Sequence, residues 1–283
     1  MKKYISIILT AVMLLSFFGC SEDRPSQQTT TEVPPAFTTP KQTIPEDPVI
    51  DYHFDSRTNV KSDDIGIISY DTDYDITDDK DNVVMFVSMT LPIVEYVKKD
   101  ETEQAVADII AGVENGFKKT IEDRSKKYAA DIKSGYKFTC TPSFLVSYVI
   151  TDFSTNYVSI LYTIHETNAE GILILDSVCL VIDLKGGFAI DLTTLFTGEA
   201  LMNFIDDVNK KFKEKEYSYF KNYESRVSEI VTNCWLLYEG GVMILVPPYV
   251  ISPGYYGYID ISFTNSEIVN YFSDYGRLIL GGK

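Results

Sequence analysis

The chain has 283 residues, of which 41 are acidic and 25 basic, giving a formal net charge of −16. That balance excludes a nucleic-acid role, because phosphate binding needs clustered Lys and Arg. Two histidines, His53 and His165, and four cysteines without a C-x-x-C pair offer no zinc cluster, and neither metal nor cofactor is expected.

Lys2 and Lys3 precede an apolar run from Tyr4 to Phe18 and then Gly19-Cys20, the charged, apolar and small-residue order of a secretory signal. The run is short against the roughly 20 residues of a spanning helix. A cysteine directly after a small residue points to lipoprotein processing. Residues 1–19 would be removed and Cys20 would carry diacylglycerol, anchoring an extracytoplasmic protein at the envelope. Phe17 stands where such sites usually have leucine, and an ordinary signal peptide or an uncleaved anchor are the alternatives. Cleavage would deepen the acidic excess from 16 to 18, 41 acidic residues against 23 basic. A surface of that sign steers cationic partners toward it and leaves membrane attachment to the acyl chains.

From Cys20 to Pro48 the chain is rich in Thr, Pro, Gln and Glu, with too few apolar residues to offset the entropy of ordering. It reads as a disordered tether, about 80 Å long if extended as polyproline II at roughly 3.1 Å per residue. The folded part follows, in two expected pieces. Residues 49–134 form an N-terminal subdomain of a hairpin and a long helix, and residues 135–283 a C-terminal domain.

"IGIISYDTDYDI" and "NVVMFVSMTLPIVEYV" predict paired strands around the turn "TDDKDN". Asp71, Asp73 and Asp75 alternate as in a calcium loop, but Ile76 replaces the needed Gly and Asn82 the needed Glu, so a charged hairpin tip is expected. Asp100 and Glu103 have capping-box spacing. Val106, Ile109, Ile110, Val113, Phe117 and Ile121 then form one apolar stripe, which Tyr128 and Ile132 extend, predicting a helix to about Lys133. Lys118, Lys119, Glu122, Asp123, Lys126 and Lys127 make its solvated face.

Three strands are expected in "YKFTCTPSFLVSYVI", "NYVSILYTIHET" and "ILILDSVCLVIDL", then a tight turn at "KGG" before "FAIDLTTLF". The segment from Gly198 to Val231 is helical with an interruption near Tyr217. A hairpin turns at Gly240-Gly241, "YYGYIDISF" is a last strand, and a closing helix starts near Asn265 or Ser266. The order β-β-α-β-β-β-α-β-β-β predicts an α+β fold, a largely antiparallel sheet or sheets packed against two long helices. Cys140, Cys179 and Cys234 all fall in apolar strand-like segments and are expected to be buried and unbridged.

"GGFAIDLTTLFTGEALMNFIDDVNKKF" and "NCWLLYEGGVMILVPPYVISPGYYGYIDISFTNSEI" resemble a turn, L-x-x-L-F loop and helix and a closing P-Y-x-I-x-P-x-x-x-G block. These mark the C-terminal extracytoplasmic domain of lysozyme-sensing membrane anti-sigma factors. That domain is also found beside peptidoglycan and polysaccharide deacetylases and in bacterial lipoproteins. The resemblance spans about 215 residues and is more specific in the closing block. It implies an envelope domain of α+β fold that binds rather than catalyses, with lysozyme as the partner in the anti-sigma members. Only Met1 to Lys3 precede the apolar run and the chain ends at Lys283, so neither the sigma-binding nor the deacetylase role carries over. Relatives often have a Gly- and His-containing loop where this chain has "NAEG", Asn168 to Gly171, which puts lysozyme recognition in question.

A His165–Glu166 pair on a strand would suit general acid–base work, but no G-x-S-x-G elbow supplies a nucleophile. Among 20 tyrosines the densest clusters are "YSYFKNY" and "VPPYVISPGYYGYIDI". Tyr217, Phe220 and Glu224 keep helical spacing, which predicts core burial. In the second cluster Pro247-Pro248 stops a strand and Pro253-Gly254 suits a type II turn, leaving Tyr255 and Tyr256 as candidate partner-binding residues. The expected function is a surface-anchored, non-catalytic lipoprotein binding a cell-wall-associated ligand, a cationic protein such as lysozyme or peptidoglycan. An envelope hydrolase acting on wall polysaccharide and a structural envelope protein are the alternatives.

Overall fold

The computed structural model describes residues 59–61, 65–96 and 101–280. The expected secretory segment 1–19, Cys20, the expected tether 20–48 and His53 lie outside the described residues.

A seven-stranded sheet runs in chain order: β1 (Val60–Lys61), β2 (Ile65–Thr77), β3 (Val83–Tyr96), β4 (Ser143–Phe153), β5 (Tyr157–Thr167), β6 (Leu173–Asp183) and β7 (Phe188–Ala189). A second sheet of three strands has the order β10 (Ile259–Phe263), β9 (Gly241–Val246) and β8 (Trp235–Tyr238). Every pairing is antiparallel except β3 with β4, which is parallel. Parallel neighbours need a crossover, and the 33-residue helix α1 (Glu101–Lys133) supplies it. The expected boundary at 134/135 therefore lies between two strands that are neighbours in one sheet.

Helix α1 follows from its sequence. Glu101 and Glu103 sit at the positive end of the dipole and Lys133 at the negative end. Val106, Ile110, Val113, Phe117 and Ile121 are buried in a stripe. The opposite face is exposed and carries i,i+4 ion pairs, including Glu114–Lys118 at 2.6 Å and Lys119–Asp123 at 2.8 Å. The stripe packs on the sheet face holding Phe144, Val146, Tyr148, Ile160 and Tyr162, with Phe117 edge-on to Tyr162 at 5.6 Å.

The small sheet is covered on both faces. Trp235, Leu237, Val242, Ile244, Val246, Ile259, Ile261 and Phe263 pack against Leu201, Phe204, Val208 and Phe212 of α3 (Gly198–Glu214) and Val227, Ile230 and Val231 of α4 (Val227–Asn233). A one-turn α2 (Leu192–Leu195) precedes α3. Leu236, Met243 and Leu245, on the other face, pack against Leu161 of β5. The layers are thus α1, the seven-stranded sheet, the three-stranded sheet, and α3 with α4. Each fully buried Leu or Met contributes about 1.5–3 kcal/mol. Short helices α5 (Asn265–Ile268) and α6 (Asp274–Leu280) close the fold, α5 through a capping box of Thr264 and Glu267.

The fold class is as the element order predicts, while several local expectations are corrected. The β8–β9 turn residues are Glu239 and Gly240, with φ of 49° and 75°, a type I′ pair, and Gly241 opens β9. Gly241 is glycine for another reason: a Cβ there would meet the Phe263 carbonyl oxygen at 2.1 Å. Of the three cysteines only Cys179 lies in a strand. Cys140 sits in the bend before β4 and Cys234 ends α4, and all three are free thiols. Asp71, Asp73 and Asp75 lie along extended β2, opposite Thr90, Ser88 and Phe86, so they do not wrap a loop. At the hairpin tip Asp78 accepts the amide protons of Lys80 and Asn82 at 2.8 and 2.9 Å, and hydrogen bonds from Asn82 hold its carboxyl below the usual range.

Candidate functional site

Two tyrosine-rich segments, Tyr217–Tyr223 and Val246–Ile261, meet at one end of the small sheet. The first begins where α3 stops. Lys215 takes an extended conformation at the helix end, and the chain runs non-helically to a 3-10 turn at Tyr223–Arg226. Tyr217, Phe220 and Glu224 therefore do not share a helical face. Tyr217 and Tyr219 still pack against the core, but Phe220 is 40% exposed. The second segment follows β9. Pro247-Pro248 ends its ladder, since neither residue has an N–H to donate.

One backbone and one side-chain hydrogen bond tie the first segment and the turn after it to the second. Phe220 N–H donates to the Ile251 carbonyl at 2.8 Å, and Arg226 Nη1 donates to the Val250 carbonyl at 2.6 Å. The rings then form a chain of contacts: Tyr255 to Tyr256 at 4.3 Å, Tyr256 to Tyr217 at 4.8 Å, Tyr217 to Tyr219 at 6.1 Å, and Tyr219 stacked on Tyr223 at 4.5 Å. Tyr219 also donates its hydroxyl to the Phe212 carbonyl at 2.9 Å, which fixes the inner end of the row on α3. Of the two tyrosines singled out in the sequence, Tyr255 is 64% exposed, while Tyr256 is half-buried beneath it. The Tyr256 oxygen accepts the Ser218 amide proton at 3.1 Å. Hydrogen bonds from Ser218 and Tyr255 hold the Tyr256 phenol below its usual pKa, and the partner phenol Tyr255 moves up.

Tyr249 is the residue that sequence reasoning missed. It is 67% exposed and has φ of 66°, a left-handed conformation uncommon for a residue with a bulky side chain. Its ring lies on Gly254, where an added Cβ would stand 2.1 Å from Tyr249 Cζ. The predicted type II turn is corrected accordingly. Pro253 has φ −55° and ψ 141°, but Gly254 opens a 3-10 turn and the positive φ falls on Tyr249 and Gly257. Gly254 is present to let a ring approach, not to reach the left-handed region. The only available signal was the pairing of a tyrosine with a glycine five residues later, which has no distinctive spacing.

The other chemical candidates are dispersed. His165 is exposed and Glu166 is 6% exposed, on opposite faces of β5 because successive strand residues alternate. Glu166 faces α1, with Arg124 Nε 3.0 Å from Oε1 and Tyr128 donating its hydroxyl to that oxygen at 3.4 Å. The Arg124 Nε–H has no aligned hydrogen bond, so the Arg124 contact is charge pairing at close range. Burial, and then the Glu166 charge, push the Tyr128 phenol up.

His165 sits on the sheet face that the small sheet leaves open. The register places Asp73, Ser88, Leu145, His165 and Leu175 in one row across five strands. Ser147, Thr163 and Ser177 make the next row, beside Thr90 and Asp71, with Ser147 and Thr163 hydroxyls 2.7 Å apart. Asp71, Asp73, Asp75, Phe86, Leu145 and His165 are exposed there, and no Lys or Arg stands among these positions. No helix among the described residues is long and apolar enough to cross a membrane.

No family model matches the sequence, and no curated protein matches it. Two of the solved structures it resembles are DUF3298 proteins. The crystal structure of a DUF3298 member from Bacteroides fragilis superposes with a TM-score of 0.58 at 14% identity, over 76% of this chain and 96% of that one. A DUF3298 protein from Pseudomonas aeruginosa gives a TM-score of 0.48 at 8% identity, over 74% of this chain and 94% of that one. The first likeness shows a shared fold.

Proposed function

We propose that the chain is a membrane-anchored, extracytoplasmic lipoprotein that binds a cell-wall-associated ligand without catalysing a reaction. Cys20 carries the lipid and residues 20–48 hold the folded part away from the membrane. The observation that carries the binding reading is the convergence of two tyrosine-rich segments into one partly exposed aromatic corner, with Tyr249 and Tyr255 outermost. Tyrosine supplies rigid amphipathic area at low entropic cost, which suits protein and sugar ligands alike. The likeness of the closing block to the extracytoplasmic domain of lysozyme-sensing anti-sigma factors supports the same reading. The separation of His165 from Glu166 speaks against the hydrolase alternative, since that pair cannot act on one substrate atom.

A cationic protein such as lysozyme is favoured by a different observation. The open sheet face carries Asp71, Asp73 and Asp75 without a Lys or Arg among its rows, on a chain of net charge −16. Opposite potentials of that kind raise association rates and fade with salt.

Calorimetric titration of the full chain with lysozyme and with purified peptidoglycan fragments tests the proposal. Saturable binding to either supports it, and absence of binding to both in moderate salt overturns it. Cys20→Ala, which removes the acceptor thiol, should release the protein from the membrane fraction; retention there would refute the anchor.

A further inference from the structure

We infer that the aromatic corner is a glycan-binding platform, on which Tyr249 and Tyr255 stack against the sugar rings of a neutral pyranose chain. This rests on the binding reading above and gives it a ligand class.

Three observations converge. Both tyrosines are mostly exposed, and each rests against a neighbour. Tyr249 leaves a left-handed backbone with its ring over Gly254, and Tyr255 contacts Tyr256 at 4.3 Å. A bulky non-glycine residue kept at positive φ is uncommon, and such strained positions cluster at ligand sites, which marks Tyr249 as placed. The Tyr255 ring is also backed, through Tyr256, by a row that reaches α3, which lowers the ordering cost a ligand would otherwise meet.

Charge decides which ligand. No ionisable acid or base other than tyrosine lies between Val246 and Ile259, nor between Tyr217 and Phe220. Nucleobases stack on aromatic rings too, but their phosphates need cations, and those at the corner are already engaged, Arg226 with the Val250 carbonyl at 2.6 Å and Lys215 with Asp260 at 3.6 Å. A cationic side chain would be drawn to tyrosine faces. Here Lys215 already places its Nζ 5.9 Å from the Tyr217 ring, and the carboxylate at that edge, Asp260, is already paired with it at 3.6 Å, so an incoming cation would meet a like charge. A pyranose ring has an apolar face and a hydroxylated rim. It matches a tyrosine face bordered by the hydroxyls of Tyr255, Tyr256 and Ser218.

The test uses the full chain and a β-1,4-linked N-acetylglucosamine tetrasaccharide, followed by calorimetry and by tyrosine fluorescence. Wild type should bind, and Tyr249→Ala and Tyr255→Ala should each weaken the affinity at least tenfold with melting temperatures unchanged. Tyr249→Phe should retain most of the affinity, because it keeps the ring. Tetrasaccharide binding that neither alanine variant affects would overturn the platform while leaving a binding function intact. Binding of lysozyme but of neither the tetrasaccharide nor purified peptidoglycan would overturn the glycan assignment alone. Loss of lysozyme binding in the two alanine variants, with tetrasaccharide binding unaltered, would likewise overturn it.

Discussion

The Ser159 hydroxyl of β5 accepts the amide proton of Leu237 in β8 at 3.0 Å, joining two sheets that share no backbone ladder. Thr151 completes the clasp by donating its hydroxyl to the Leu237 carbonyl at 2.8 Å. At Leu237, therefore, the outward backbone groups of an edge strand are satisfied by side chains of the neighbouring layer. Nearby, Asp152 accepts the Gly240 amide proton at 2.8 Å and steadies the hairpin turn.

Ser159→Ala should leave the Leu237 N–H buried without its acceptor and cost about 1–3 kcal/mol. Urea unfolding should show a lower midpoint at an unchanged m-value. A midpoint equal to wild type would mean that the clasp carries no net stability.

Two glycines should respond differently to alanine. At Gly241 the new Cβ would stand 2.1 Å from the Phe263 carbonyl oxygen, a backbone atom in the adjoining strand, so β9 and β10 must separate. The cost should reach or exceed the roughly 1–3 kcal/mol of an overpacked core. At Gly254 the obstacle is the outer part of the Tyr249 ring, which can swing into solvent. Gly254→Ala should keep the melting temperature of wild type yet lose tetrasaccharide affinity, a split that separate melting and binding measurements would read.

Much of this was legible beforehand, for identifiable reasons. The stripe from Val106 to Ile121 and the alternation of Ile259, Ile261 and Phe263 are local periodicities, and each produced the element it predicts. The parallel meeting of β3 with β4 was not legible, because it depends on where α1 delivers the chain. Tyr217 misled for a related reason. Its spacing to Phe220 and Glu224 is helical, but the turn that docks on Ile251 and Val250 outweighs local preference. Tyr249 escaped notice because its importance lies in a left-handed backbone and a neighbouring gap, neither of which residue type announces.

Glu267 should give the fold a pH dependence at the acidic end. Hydrogen bonds from Lys211, then from the Thr264 amide and hydroxyl, lower its carboxyl from 4.5 to about 2. An acid with a depressed folded pKa stabilises the fold above its unfolded pKa and ceases to do so as pH falls through the folded one. The contribution should be complete above about pH 5 and vanish near pH 2. Because Glu267 is largely solvated, it is worth about 0.2–1 kcal/mol. Glu267→Gln should lower the melting temperature at neutral pH, and the two proteins should converge toward pH 2.

The thiols should sort by position. Burial pushes Cys179 well above the ordinary thiol range and Cys234 up to about 12, so neither offers thiolate at neutral pH. Iodoacetamide should leave both unmodified in the native protein and alkylate both in urea, as read by peptide mass mapping. Rapid native labelling of either would contradict the desolvation of its thiol.

The passage of α1 between two adjoining strands also sets an order of assembly. A ribosome delivers β2 and β3 first, and their hairpin can close at once through local contacts. The far edge of β3 meets its partner only after the helix and Ser143–Phe153 have emerged, and β8, which settles over β5, comes later still. Contacts of such long sequence separation slow folding and leave hydrogen-bonding edges open meanwhile. A nascent chain of this design depends on being kept from like chains until its second half arrives.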